Sequence, residues 1–146
     1  MKKILILVIW ILSCSTISAQ KYTDQYIKDA NKVALSWLSD INHNNYELSY
    51  NLLTTQLKDR YDKTTWINLI SELMIEFGDI NSRVVKDISF QSQIEGLEDG
   101  FYVSIEYNSN YKNTEKHIEY LILKQNDKSK WEIFDYNYQF ESEKEE

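Results

Sequence analysis

Proline is absent from this chain of 146 residues, and glycine occurs three times. These residues are the usual means of breaking helices and reversing the backbone, so long uninterrupted elements with short connections are expected. Cysteine occurs once, at Cys14, which excludes an intramolecular disulfide and leaves stability to packing alone. No apolar run approaches the roughly 20 residues needed to span a bilayer. Basic residues are also too few to make a nucleic-acid surface: 16 Lys and Arg stand against 23 Asp and Glu, for a net charge of −7. That balance repels phosphate backbones, and no basic stripe with interleaved aromatics offsets it. Internal repeats, phosphate-cradling glycine loops and the "GxSxG" nucleophile pattern are all missing, and neither His43 nor His117 has an evident serine partner. What the chain has instead is packing surface: eleven Tyr, five Phe and four Trp, which is contrary to the composition of disorder.

The first twenty residues read as an address. Lys2 and Lys3 precede the apolar run Ile4–Leu12, and small and polar residues follow, which is the tripartite pattern of a secretory signal. Two processing sites are open. "ILSC", Ile11–Cys14, resembles a lipobox, which would make Cys14 a lipid-attachment point. Ala19 followed by Gln20 resembles a leader-peptidase site, and the reading adopted is a signal peptide over residues 1–19. Without those residues Lys and Arg fall to 14 against 23 acids, a formal charge of −9. A periplasmic or secreted protein is expected, or a lipoprotein anchored through Cys14.

Residues 20–140 read as one α+β domain, and the run "ESEKEE" over 141–146 as a solvated acidic tail. After a helix start at Thr23, apolar residues at Tyr26, Ala30, Val33, Ala34, Trp37, Leu38 and Ile41 draw one stripe along a helix, which "NHNN" ends. A short helix is predicted from Tyr46 to about Leu53. A third starts near Thr64 or Thr65, buries Trp66, Leu69, Ile70, Leu73 and Phe77, and stops at Gly78. The period then changes to two. Strands are predicted over Ile80–Ile94, with Val84, Ile88 and Phe90 on one side; over Phe101–Tyr111; over Glu115–Lys124; and over Lys130–Phe140. The links are too short for parallel crossovers. The fold expected is therefore three N-terminal helices packed on a curved four-stranded antiparallel sheet.

"ALSWL", Tyr46, Trp66, "FGDINSR", "DGFYVSIEY", Tyr111-Lys112-Asn113, Glu119 and "WEIFDY" occur in an order that resembles the bacterial domain-of-unknown-function family 4019. The resemblance runs from about Ala30 to about Tyr138. It implies export and a cone-shaped fold akin to the cystatin-like and nuclear-transport-factor-2-like folds, and it carries no activity. Asp135 stands where that family usually has glycine, and "ISELMIEF" lacks a basic residue expected late in the third helix.

Several constellations bear on chemistry. In a cone fold Trp37, Trp66, Tyr107 and Trp131 would line a cavity, although as plain core filler they need no ligand. Arg83 and Glu119 lie among apolar neighbours, where an unpaired charge is costly, and are expected to face each other as a structural ion pair. Glu115, His117 and Glu119 would share one side of an unbroken strand, but nothing nearby completes a metal shell, so no metal or other cofactor is assigned. A desolvated acid beside a tyrosine, Asp135 with Tyr107 or Tyr136, would suit isomerase chemistry. On a regular strand, however, Asp135 and Tyr136 point to opposite sides. No catalytic residue is assigned. The expected function is a non-enzymatic binding module for an envelope protein or a small apolar ligand, with a cavity-based isomerase or lyase as the alternative.

Overall fold

The computed structural model describes residues 2–140, with side chains from residue 21 onward, so the Cys14 side chain and the tail at 141–146 lie outside what is described. Four helices precede four strands: α1 (Lys2–Asn42), α2 (Tyr46–Asn51), α3 (Thr55–Arg60), α4 (Lys63–Phe77), β1 (Ile80–Gln91), β2 (Tyr102–Tyr111), β3 (His117–Gln125) and β4 (Trp131–Phe140). The sheet is an antiparallel meander in the order β1-β2-β3-β4.

The helical half departs from expectation in two ways. α1 passes straight through Thr23, because no glycine or proline occurs before Gly78 to interrupt it. A fourth helix appears between the second and third predicted ones. Leu52–Thr54 leave the helical path to pair with β4, and Thr54 then caps a new helix by accepting a hydrogen bond from the Leu57 N–H. Asp62 does the same for α4, accepting from the Thr65 N–H at 2.8 Å. These bonds hold its carboxyl below the usual range. Gly78 ends α4 with φ of 76°, a conformation that favours glycine, and a Cβ there would lie 2.8 Å from the Asn113 amide.

α1 packs on all four strands. Its buried stripe is Ala30, Ala34, Trp37, Leu38 and Ile41, the spacing of one helical face. Against it α4 sets Trp66, Ile70, Met74 and Phe77, and the sheet sets Val103, Ile105, Tyr107, Leu121, Leu123 and Ile133. Burying each large side chain of this core contributes about 1.5–3 kcal/mol.

Three bulges decide which strand residues reach that core. In β1, Asn81 and Lys86 are extra residues relative to β2; in β4, Phe134 is extra relative to β3. Each extra residue reverses the side-chain alternation beyond it. Val84, expected inward, is therefore 63% exposed, and Arg83 takes the inward position. Beyond Phe134 the inward residues are Tyr136 and Tyr138. At the start of β2, Tyr102 is fully buried, donating from its hydroxyl to the Glu98 carbonyl at 2.7 Å, whereas the preceding Phe101 is partly exposed beside Tyr26 and Phe90.

Candidate functional site

Glu119 projects from β3 into the interface between sheet and helices and has no exposed surface. Five donors surround its carboxylate. Arg83 binds both oxygens, from Nε to Oε2 at 2.7 Å and from Nη2 to Oε1 at 3.2 Å. Ser109 donates to Oε2, and the hydroxyls of Tyr111 and Tyr136 donate to Oε1 at 3.0 and 2.7 Å. Arg83 also donates to the Tyr111 hydroxyl, and its guanidinium lies 5.7 Å from the centre of that ring. Neighbouring strands supply these groups from one face: Arg83 sits opposite Ser109 in the ladder, and Glu119 opposite Tyr107 and Tyr138.

The electrostatics follow from this geometry. Burial alone would raise the Glu119 carboxyl, but the Arg83 charge and the surrounding donors outweigh it and hold the group below its usual 4.5. Burial works against the Arg83 charge as well, and Glu119 reverses the sign so that the guanidinium is held more firmly protonated. Burial and the nearby carboxylate push the Tyr111 and Tyr136 hydroxyls well above the ordinary phenol value. Tyr107, buried on the same face, is pushed up to about 12. Glu119 is thus an ionised acceptor with its oxygens occupied, and its tyrosines are donors that do not ionise near neutral pH.

His117, two residues before Glu119, is buried between aromatic rings, parallel to Tyr111 at 5.1 Å and 4.7 Å from Phe77. Neither ring nitrogen makes a hydrogen bond among the described residues. Burial lowers its pKa below 6.5, which keeps it neutral at physiological pH. Glu115 does not join His117 and Glu119, because Lys116 takes a φ of 51° and β3 begins only at His117. The unbroken strand assumed for a metal triad is not formed. Among the described residues no group of three His, Cys, Asp or Glu side chains is placed to hold a metal.

The four aromatics singled out from sequence do not share one chamber. Trp37 and Trp66 meet at 6.2 Å, and Trp37 meets Tyr136 at 5.0 Å. Trp131 lies elsewhere, against Tyr26 at 6.1 Å, and Tyr107 lies under Arg83. Asp135 contacts neither proposed tyrosine through a hydrogen bond, since Tyr136 gives its hydroxyl to Glu119 and Tyr107 reaches Asn31. Sequence reasoning missed Ser109, Tyr111 and Tyr136 as partners of Glu119. Ser109 did leave a signal, being a polar residue in the same alternating register as Ile105, Tyr107 and Tyr111.

An open groove of about 170 Å³ lies between α3, α4 and β4, lined by Leu57, Trp66, Leu69, Leu73, Tyr136 and Tyr138 among others, with Arg60 and Asp135 as its charged members. Tyr136 therefore contributes its ring to the groove and its hydroxyl to the sealed carboxylate. A second hollow, of about 230 Å³, is polar and satisfies itself: Lys124 and Gln56 both donate to Glu98 within it.

Comparison with protein families decides the affiliation. The model described as "Protein of unknown function (DUF4019)" matches residues 33–136. The chain belongs to that family. The DUF4019 span starts within α1 and ends at Tyr136, so Arg83, Ser109, Tyr111, Glu119 and Tyr136 all fall inside it. No curated protein and no solved structure matches this DUF4019 chain.

Proposed function

We propose that this protein is an exported cell-envelope binding module without catalytic activity, and that the groove between α3, α4 and β4 receives its ligand. The observation that carries this reading is the contrast in occupancy between the two polar-to-apolar regions. Glu119 has both oxygens taken by Arg83, Ser109, Tyr111 and Tyr136, whereas the groove presents Leu69, Leu73, Tyr136 and Tyr138 with no internal partner filling it. An isomerase or lyase would need a desolvated acid able to hold or release a proton beside substrate. An arginine-bound carboxylate is poorly suited to that work.

The export half of the reading rests on the leader pattern at residues 1–19. Among the described residues no helix is long and apolar enough to cross a membrane; the lipobox pattern at Cys14 is the anchor the leader offers. The cone-like shape implied by the family resemblance draws support from the three bulges, which bend strands and increase their twist. Mass spectrometry of the mature N-terminus tests export, expecting Gln20 or a diacylated Cys14; an intact Met1 on protein recovered from the envelope would contradict it. For the groove, a photo-crosslinking residue in place of Leu69 should give a discrete adduct in cells. Equal labelling from a control position at Asp127 would remove the groove from the account.

A further inference from the structure

The sheet has two edges, and the second half of one of them is unguarded. β1 carries two bulges, with the charged residues Lys86 and Asp87 at the second, which are common devices against unwanted strand pairing. β4 has no bulge after Phe134, no charge after Asp135 and no proline.

The hydrogen-bond alternation shows which way the β4 backbone faces. Antiparallel residues opposite each other exchange both main-chain bonds or neither. Gln125 donates to the Phe101 carbonyl, so the odd-numbered residues of β3 bond toward β2 and the even-numbered ones toward β4. Trp131 and Ile133 then turn their N–H and C=O groups away from β3, and past the bulge at Phe134 so do Tyr136, Tyr138 and Phe140. Two contacts agree with this. Ile133 exchanges main-chain bonds with Leu52 and Thr54, at 2.8 and 2.9 Å, and the Tyr138 N–H goes to the side chain of Asn137 rather than to β3. The chain thus pairs with its own edge at Ile133 and then departs into α3. From Tyr136 to Phe140 no main-chain partner occupies that edge among the described residues.

The groove lies along this same stretch, and Tyr136 and Tyr138 supply both its lining and the outward backbone groups. At about 170 Å³ it falls short of the roughly 300–1,000 Å³ usual for small-molecule pockets. It is sized instead for one or two side chains. We infer that the ligand is an extended peptide segment of a partner protein, which adds as a further strand to the β4 edge from Tyr136 to Phe140 and places an apolar side chain in the groove between Leu69, Leu73 and Tyr138. This inference rests on the groove being the binding site. Asp135 at one end of the free edge and the net charge of −7 favour a segment flanked by Lys or Arg, while Arg60 is the one cation in the lining.

The test pans a random-peptide phage library on the full chain, after sedimentation has established its oligomeric state. The expected protein is a monomer, and the enriched peptides alternate apolar residues with a basic flank. Their affinity should fall by about tenfold or more on Leu69→Glu, and by a similar factor when alternate backbone nitrogens of one parity are methylated. Methylation of the other parity should leave binding unchanged. Sensitivity to Leu69→Glu without any dependence on methylation would keep the groove and overturn strand addition. No enrichment, or binding indifferent to Leu69→Glu, would overturn both. A dimer dissociated by Leu69→Glu would assign the edge to a second copy of this chain and overturn the peptide.

Discussion

Tyr136 belongs to two regions of opposite character. Its hydroxyl closes a cluster in which both oxygens of the Glu119 carboxylate are taken, and it also lines an open apolar groove beside a strand edge with no main-chain partner among the described residues. The cluster costs desolvation of two charges, and that cost is recovered only because the geometry is bidentate and the remaining lone pairs are filled. The groove has little desolvation to offset, and its half-exposed member Leu69 has little to lose on substitution. The difference teaches that burial of an acid beside tyrosines does not make a catalytic site; what matters is whether the acid has spare valence toward solvent or substrate.

The sharpest way to break this comparison is to remove one charge. Arg83→Ala or Glu119→Ala should destabilise the fold by about 3–5 kcal/mol, measured by urea unfolding, because the surviving charge stays buried. Replacing both together, Arg83→Met with Glu119→Leu, should recover most of that loss. A single charge removal within experimental error of the native protein would mean that the cluster is solvated. Acid probes the same point. The Glu119 carboxyl titrates lower in the fold than in the unfolded chain, so its contribution is complete above the unfolded value and disappears as pH falls through the folded one. His117, lowered by burial, acts in the same direction: its contribution is complete above 6.5 and declines as the unfolded chain takes up protons below that. Stability should therefore fall steadily on acidification from pH 7, and Glu119→Gln in a folded background should flatten the lower part of that curve.

Smaller changes sharpen the contrast. Tyr136→Phe removes one hydrogen bond to a charged acceptor and should cost about 1.5–3 kcal/mol, while leaving the groove its ring. Thr54→Ala should cost about 1 kcal/mol by uncapping α3. Leu69→Glu, at a half-exposed position on the groove, should change stability by no more than about 0.5 kcal/mol while lowering ligand affinity by about tenfold or more.

Much of this fold was legible because periodicity is a property of the chain itself. The stripe from Ala30 to Ile41 and the alternation from Val103 to Tyr111 both face the core in the structure. Arg83 and Glu119 also meet, as the cost of burying either alone suggests. The bulges were illegible, because a single extra residue at Asn81, Lys86 or Phe134 leaves composition unchanged yet turns the following residues to the other face. That is why Val84 is exposed and Tyr136 reaches the core against the alternation of their strands, whereas Ser109 and Tyr111 lie on the regular strand β2 and were missed only as partners of Glu119. The break at Leu52–Thr54 was hidden for a related reason, since its cause is a long-range pairing with Ile133 rather than a local turn signal.

The most direct test is a carbon-13 NMR titration of the Glu119 carboxyl in the folded protein. The arginine-held arrangement predicts a resonance that stays ionised as pH is lowered through 4.5 and changes only further into acid, as the fold itself is lost. Protonation of Glu119 between pH 5 and neutrality would contradict it, and would make this carboxyl the proton-carrying group that the sealed cluster excludes.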